Sequence, residues 1–318
     1  MILEGGLSDK TYFEYVAPQL KKVASVTPQE KQQQQEKLAQ FILQQAELLD
    51  IPERIRKKIR VILVEDTEGL HTDVVHTTIA VPIHMARIYA TGRKSSEQEE
   101  YTALLDTLPN SYEAIESRLN EMERNTREKI QAASEKLFTD YSDAEIESLL
   151  LHELGHLKYA HLFPFPKITP RALPISLGSM FSAMSSSLVY YTQGDAIAEY
   201  VCKDFSGLSN VLCKETYVPD YMRMGVTFLT AIAGACALAW ITRPLFLKKA
   251  QADESQADSV VSLSENHRIA FMRWCKRHLV WSTTHQKPVS WSEKMRFFMN
   301  CTHPPFSKRL QQIASSKK

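Results

Sequence analysis

The spacing of apolar side chains predicts a mainly helical chain with a small amount of sheet. Within residues 1–60 the apolar positions recur every three or four residues among glutamines and charged residues, which is typical of an amphipathic helix. A capping box at Thr27-Pro28-Gln29-Glu30 predicts where this helix begins. Short apolar runs bounded by polar residues or by proline predict strands at 60–64 and 77–81.

Helical spacing returns in residues 95–138 and continues into the most informative part of the chain. Pro109-Asn110 predicts a break in this helical region, and the apolar stripe beyond it predicts packing on the core. A second capping box, Ser142-Asp143-Ala144-Glu145, predicts the start of the helix that carries His152 and His156. Together these elements predict an α+β fold that is mainly α with a small β-sheet.

Two long stretches without charged side chains interrupt the polar chain. Residues 224–242 approach the length of about 20 apolar residues that spans a bilayer, and residues 172–194 are a weaker example. They predict a membrane hairpin over 172–247, although a buried helical pair in a globular protein would show the same pattern. Basic residues flank the hairpin and acidic residues are more frequent in its loop, which predicts that both chain ends face the cytoplasm.

Composition excludes several classes of protein. The 38 basic and 37 acidic residues give a net charge of +1, so no basic excess favours a nucleic-acid partner. The 10 glycines include neither a G-x-G-x-x-G sequence nor a phosphate-binding loop. None of the five cysteines forms a C-x-x-C pair, which disfavours a zinc ribbon or a thioredoxin-like redox site.

One short sequence on a predicted helix carries recognisable metal chemistry. His152-Glu153-Leu154-Gly155-His156 matches H-E-x-x-H, and residues four apart lie on one helical face, so both imidazoles can reach one metal ion. Glu153, beside the first histidine, can contact a water at that metal and act as a general base. The alternative is a pair of ordinary helix histidines.

The third ligand distinguishes the classes of zinc enzyme that use this motif. A metzincin would have glycine and histidine where this chain has Tyr159 and Leu162. A thermolysin-like enzyme would have a glutamate some twenty residues further on, and residues 157–198 contain none. Neither class therefore matches the chain.

Two glutamates remain as candidates for the third ligand. Glu254 is followed one helical turn later by Asp258, which could accept a hydrogen bond from a ligand imidazole. Glu199 is the competitor, but it lies in the loop that the hairpin model places across the membrane from His152. We therefore favour Glu254 over Glu199.

Three sequence elements in order resemble one family of zinc metallopeptidases. They are LLLHELGHLKYAH at 149–161, E-x-x-A-D at Glu254–Asp258, and THPPFSKRL at 302–310. In this combination the chain resembles the family that includes the bacterial HtpX membrane protease and the CAAX prenyl-protein endopeptidase. The resemblance extends in layout over residues 60–310.

The resemblance implies a zincin-like core with a hydrophobic helical hairpin inserted at 172–247, in a metalloprotease domain of residues 61–318 that follows a helical region at 1–60. It also implies one zinc ion per chain, in a protein of the bacterial cytoplasmic membrane, and the charge pattern around the hairpin predicts that the active site faces the cytoplasm. The implied metal ligands are His152, His156 and Glu254, with Asp258 behind them. His303 and Arg309 are implied to approach the active site and stabilise the oxyanion, although a histidine before two prolines could simply end a helix.

These observations predict a zinc metalloendopeptidase of protein or peptide substrates, with membrane lipid as a further partner and Glu153 as general base. The predicted strand at 77–81 could pair with an extended substrate if it lies at a sheet edge. The alternatives are a catalytically inactive zinc-binding membrane scaffold and a helical interaction protein in which the motifs arose by chance.

Overall fold

The computed structural model describes residues 27–65, 70–91, 96–137, 140–160, 247–284 and 303–316. Contacts divide the chain into two units, one formed by Met1–Pro164 with Ala250–Lys318 and the other by Phe165–Lys249. The helices and strands below belong to the first unit, apart from the first three residues of the helix at 247–261.

The first described helix, α1 (Pro28–Leu48), begins at the predicted capping box. The Thr27 hydroxyl accepts a hydrogen bond from the backbone N–H of Glu30, and the Glu30 carboxylate accepts one from the backbone N–H of Thr27. Its apolar stripe packs inward, where Leu38 and Ile42 are fully buried. A short helix, α2 (Glu53–Arg56), follows before the sheet.

The sheet has three described strands, β1 (Arg60–Val64), β2 (His71–Asp73) and β3 (Thr78–Pro82), in the order β1-β3-β2. β3 is parallel to β1 and antiparallel to β2, so its backbone has a strand neighbour on each side. The strand predicted at 77–81 therefore does not lie at a sheet edge, which is the condition for the pairing with substrate considered for it. The edge strand β2 lies beside the helix that carries Glu153. The Thr72 hydroxyl donates a hydrogen bond to the carbonyl oxygen of Glu153.

Four helices follow the sheet: α3 (Ile83–Thr91), α4 (Ser96–Thr107), α5 (Tyr112–Glu121) and α6 (Arg124–Lys136). The predicted break at Pro109-Asn110 separates α4 from α5. A second break, which the sequence did not predict, occurs at Met122, where the backbone is extended.

The remaining described helices are α7 (Asp143–Ala160), α8 (residues 247–261), α9 (Glu265–Thr284) and α10 (Phe306–Ser315). α7 begins at its predicted capping box, where the Ser142 N–H donates to the Glu145 carboxylate. α9 packs against both α7 and α10 and also contacts α4, α5 and α6, so it is the central helix of the described core.

Basic side chains of α9 donate hydrogen bonds to backbone carbonyl oxygens at or just after the C-terminal ends of α4 and α6. Lys276 donates to the carbonyl oxygen of Leu108, just after α4. Arg277 is fully buried, donates to the carbonyl oxygen of Leu137 at the end of α6, and pairs with the buried Glu145 of α7. Lys276 thereby provides a partner for a carbonyl just after a helix end, whereas the Leu137 carbonyl oxygen also accepts a hydrogen bond from the backbone N–H of Asp140.

The predicted fold class, mainly α with a small β-sheet, is confirmed, whereas the predicted membrane protein requires correction. No helix in the described residues is long and apolar enough to cross a membrane. The two longest, α1 and α9, have 21 and 20 residues and carry many charged or amide side chains. The predicted transmembrane helices, and with them the place in the bacterial cytoplasmic membrane, are therefore wrong as far as the described residues go.

Several predictions concern residues outside the described part of the chain. These are the hairpin at 172–247 with its stretches 172–194 and 224–242, and the competing ligand Glu199.

Candidate metal centre

Helix α7 places the two predicted histidine ligands side by side. His152 and His156 are one helical turn apart, and their Nε2 atoms lie 3.2 Å from each other. The rings meet edge to face with their centroids 4.7 Å apart. Both Nε2 atoms are thus available to the same small ligand.

Helix α8 brings Glu254 to the same point. Its Oε2 atom lies 3.3 Å from His152 Nε2, and its Oε1 atom lies 3.3 Å from His156 Nε2. One donor atom from each of the three residues can be chosen so that all lie within 4.8 Å of one another. The structure therefore brings together the three residues that the sequence nominated as metal ligands.

A close contact between backbones allows α7 and α8 to meet in this way. A Cβ atom added to Gly155 would lie 2.8 Å from the Cα atom of Ala257 and 2.9 Å from its carbonyl oxygen. Any residue larger than glycine would therefore push the two helices apart. Gly155 lies between the two histidines, and Ala257 lies between Glu254 and Asp258, so this contact sets the distance from the histidines to Glu254.

The donor set suits a zinc ion. Two imidazole nitrogens and one carboxylate oxygen are the protein ligands of many catalytic zinc sites, which keep a fourth position for water or substrate. Glu254 is only 8% exposed, and its Oε2 atom is buried without a hydrogen bond of good geometry. A buried carboxylate oxygen in that state is an expected feature of a metal ligand in a metal-free structure.

The charges of the ligands depend on one another. Burial raises the pKa of a carboxyl group, but the imidazoles of His152, His156 and His303 outweigh that effect and hold the pKa of Glu254 well below its usual range. Burial lowers the pKa of His152, but the nearby carboxylates of Asp258 and Glu254 raise it to about 9. In the metal-free site Glu254 is therefore an anion among potential cations, and metal must replace a proton on His152.

Asp258 and Arg309 lie behind His152, on the side away from Glu254. The Asp258 carboxylate accepts a hydrogen bond from His152 Nδ1 at 2.8 Å and is paired with the Arg309 guanidinium. Burial raises the pKa of Asp258, but the charge of Arg309 and the hydrogen bonds from both neighbours lower it further than burial raises it. Asp258 is thus ionised and can keep the proton of a neutral His152 on Nδ1, which leaves Nε2 for a metal.

The two other residues from the third motif occupy different sides of the centre. His303 Nδ1 lies 2.9 Å from Glu254 Oε2, and its side chain is 63% exposed, so it borders the open side of the site. Arg309 is only 3% exposed, and its Nη2 atom is 3.4 Å from His152 Nδ1. The structure therefore places Arg309 behind the ligand ring, and this position gives no support to the predicted contact of Arg309 with an oxyanion.

Glu153 is held at the centre by its backbone while its carboxylate remains unengaged. Its carbonyl oxygen accepts the hydrogen bond from Thr72 of β2. Among the described residues its carboxylate has no hydrogen-bond or ion-pair partner, although the residue is only 8% exposed. A carboxylate without such a partner is free to bind and deprotonate a water.

Sequence reasoning did not find the aromatic residues that support Arg309. The guanidinium carbon lies 5.0 Å from the ring centre of Phe271 and 5.2 Å from that of Trp274, both on α9. Their spacing of three residues signals only one face of a helix, and no local pattern links them to an arginine on α10.

No protein-family model matches this chain, and no curated protein and no solved structure matches it either. The functional interpretation therefore depends on the geometry of the centre and on the sequence motifs that form it.

Proposed function

We propose that the chain is a zinc-dependent metalloendopeptidase that hydrolyses peptide bonds in protein or peptide substrates. The observation that carries the proposal is the convergence of His152, His156 and Glu254 within 4.8 Å, beside Glu153. A purely structural zinc site has no need of an unengaged carboxylate next to a ligand. The presence of Glu153 therefore favours an enzyme over an inactive zinc-binding scaffold.

The proposed family is that of the HtpX-like zinc metallopeptidases, with a zincin-like core. Its support is that the three motifs, far apart along the chain, meet at one point: the first on α7, the second on α8, and the third at His303 and on α10. Chance motifs would have no reason to converge. In this proposal the residues between α7 and α8 are an insertion into the core.

In the proposed mechanism, His152, His156 and Glu254 would hold the zinc ion, and Asp258 would orient His152 from behind. The ion, when bound, would supply a Lewis acid that lowers the pKa of a water and polarises the substrate carbonyl. The Glu153 carboxylate takes a proton from the attacking water and later delivers it to the nitrogen of the leaving amine. His303, at the open side of the site, is positioned to contact the substrate.

The edge strand β2 is the proposed docking element for an extended substrate. β2 has a single strand neighbour among the described residues, β3, and its Thr72 is bonded to the backbone of Glu153. A peptide that added to the free side of β2 would gain backbone hydrogen bonds close to the metal ligands. This role replaces the one predicted for the strand at 77–81.

The test compares metal content and peptide cleavage in the wild-type protein, Glu153→Gln and Glu147→Gln. Glu147 is a control on the same helix, because its carboxylate contacts Tyr89 and His267 rather than the metal ligands. We expect about one zinc per chain in all three proteins, and loss of cleavage in Glu153→Gln alone, by about 10²-fold or more.

Full cleavage by Glu153→Gln would refute the role of this residue. Zinc without cleavage in any of the three proteins would favour the scaffold. If the wild-type protein binds no zinc, the whole proposal fails.

A further inference from the structure

We propose that Arg309 is a positioning residue of the metal centre, which acts on the ligand His152 through Asp258. The inference rests on the proposed metal site but concerns a residue that touches neither metal nor substrate. In this role Arg309 fixes the orientation in which the Asp258 carboxylate accepts the hydrogen bond from His152 Nδ1.

The first support is the two-point contact between Arg309 and Asp258. Arg309 Nε donates to Asp258 Oδ2 at 2.9 Å, and Arg309 Nη2 donates to Asp258 Oδ1 at 2.5 Å. Because both carboxylate oxygens are engaged by one planar group, the carboxylate cannot rotate about its Cβ–Cγ bond without breaking a hydrogen bond. Oδ1, the oxygen that faces His152, is therefore held in place.

The second support is that Arg309 itself is fixed. Its guanidinium packs against the rings of both Phe271 and Trp274, and the residue is 3% exposed. Phe306, one turn earlier on α10, lies against Trp274 and closes the same aromatic cluster. The position of the Asp258 carboxylate is thus set by α9 and α10 together, rather than by its own helix alone.

The third support is the cost of burying this ion pair. Both side chains are almost fully buried, and a buried pair of this kind commonly adds no more stability than apolar residues of similar volume would. A planar guanidinium is needed only if the direction of the carboxylate matters, and here that carboxylate faces a metal ligand. Orientation of His152 accounts for the pair where stability does not.

The experiment measures zinc affinity by competition with a chromophoric chelator, together with the absorption spectrum of the cobalt-substituted protein. The variants are Arg309→Met, Arg309→Lys and a matched control, Arg268→Met. Arg268 is also a buried arginine between α9 and α10, where it donates to the Ile313 carbonyl oxygen, but it is paired with Glu265 and does not contact the centre.

We expect Arg309→Met to weaken zinc binding by about 10- to 100-fold and to alter the cobalt spectrum. Loss of a residue that helps to orient a metal ligand commonly has an effect of this size. Arg309→Lys restores the charge without the two-point contact, so we expect it to recover only part of the affinity. Arg268→Met should bind zinc as the wild type does, even if it unfolds at a lower temperature.

A double-mutant cycle with Asp258→Asn separates positioning from general support of the fold. If Arg309 acts through Asp258, adding Arg309→Met to Asp258→Asn should cause no further loss of zinc affinity, because the shared interaction is already absent. The double variant carries no buried charge at either position, so it also guards against misfolding of the single variants.

Wild-type zinc affinity in Arg309→Met, equal losses in Arg309→Met and Arg268→Met, or additive losses in the cycle would each overturn the inference. Zinc binding by the wild type without peptide cleavage would refute the proposed enzyme but leave this test intact. A wild type that binds no zinc would overturn both.

Discussion

At the scale of single residues, His152 illustrates how the two ring nitrogens of one side chain face different neighbours. Its Nε2 atom faces Glu254 and His156, while its Nδ1 atom faces Asp258. The spacing of the two histidines predicted that they share one helical face, and the family resemblance implied Glu254 and Asp258 as their neighbours. The sequence did not predict the side on which Arg309 lies, since the order of motifs along a chain carries no information about their orientation.

A second, half-buried histidine provides a prediction about pH. His278 is stacked on Phe306 and lies against Trp274, and burial, assisted by the charges of Arg277 and Arg309, lowers its pKa from 6.5 to about 3. Above pH 6.5 it is neutral in both the folded and the unfolded state. Between pH 6.5 and 3 only the unfolded state takes up the proton, so the free energy of unfolding falls as the pH falls.

We therefore expect His278→Phe to remove part of this acid sensitivity. In urea unfolding of the metal-free protein, the wild type should lose up to about 1.4 kcal/mol per pH unit more than the variant below pH 6. The difference in free energy of unfolding between the two proteins should be constant between pH 7 and 8, and this range serves as the internal control. Parallel curves from pH 8 to pH 4 would contradict the assignment of a lowered pKa to His278.

At the scale of helices and strands, local signals predicted more than long-range ones. The capping boxes at Thr27 and Ser142, the strand at 60–64 and the break at Pro109-Asn110 depend on neighbouring residues, and all four are present. The central place of β3 and the three-residue β2 depend on which strands pair. That choice is made by residues distant in sequence, so inspection of each segment alone could not reveal it.

The contact between α7 and α8 gives a prediction whose sign is informative. Helix propensity alone would make Gly155→Ala stabilising by about 1 kcal/mol. The contact with the backbone of Ala257 predicts the opposite, a loss of about 1–3 kcal/mol, since backbone atoms cannot move aside as a side chain would. Displacement of α8 would also withdraw Glu254 from the histidines.

Chemical unfolding of metal-free Gly155→Ala measures the effect on stability. The zinc affinity of the variant measures the effect on the position of Glu254. Loss of stability together with weaker zinc binding is the expected result. A variant more stable than the wild type would show that α7 and α8 are not in close contact at this residue.

At the scale of the whole molecule, the centre joins parts of the chain that are far apart in sequence. Its ligands come from α7 and α8, and its supporting arginine comes from α10. A metal that binds only the assembled site stabilises the folded protein as a whole. Zinc should therefore act on global unfolding and not only on the residues that it contacts.

The corresponding prediction concerns thermal unfolding with and without zinc. At a free zinc concentration of about a hundred times its dissociation constant, we expect zinc to stabilise the wild type by about 2.7 kcal/mol. Glu254→Gln lacks the anionic ligand, so zinc should raise its unfolding temperature much less. Equal shifts in the two proteins, measured by scanning calorimetry, would show that zinc binds elsewhere.

The large separation of His156 and Glu254 along the sequence also affects the conformational entropy of the unfolded chain. A bound ion would act as a cross-link that closes a loop of about a hundred residues, since it would join two points that the unfolded chain rarely brings together. For loops of this size each doubling of length changes the free-energy cost of closing the loop by only about 0.6 kcal/mol. The length of the segment between α7 and α8 is therefore almost neutral for the centre, and evolution could lengthen or shorten it while the ligands remain in place.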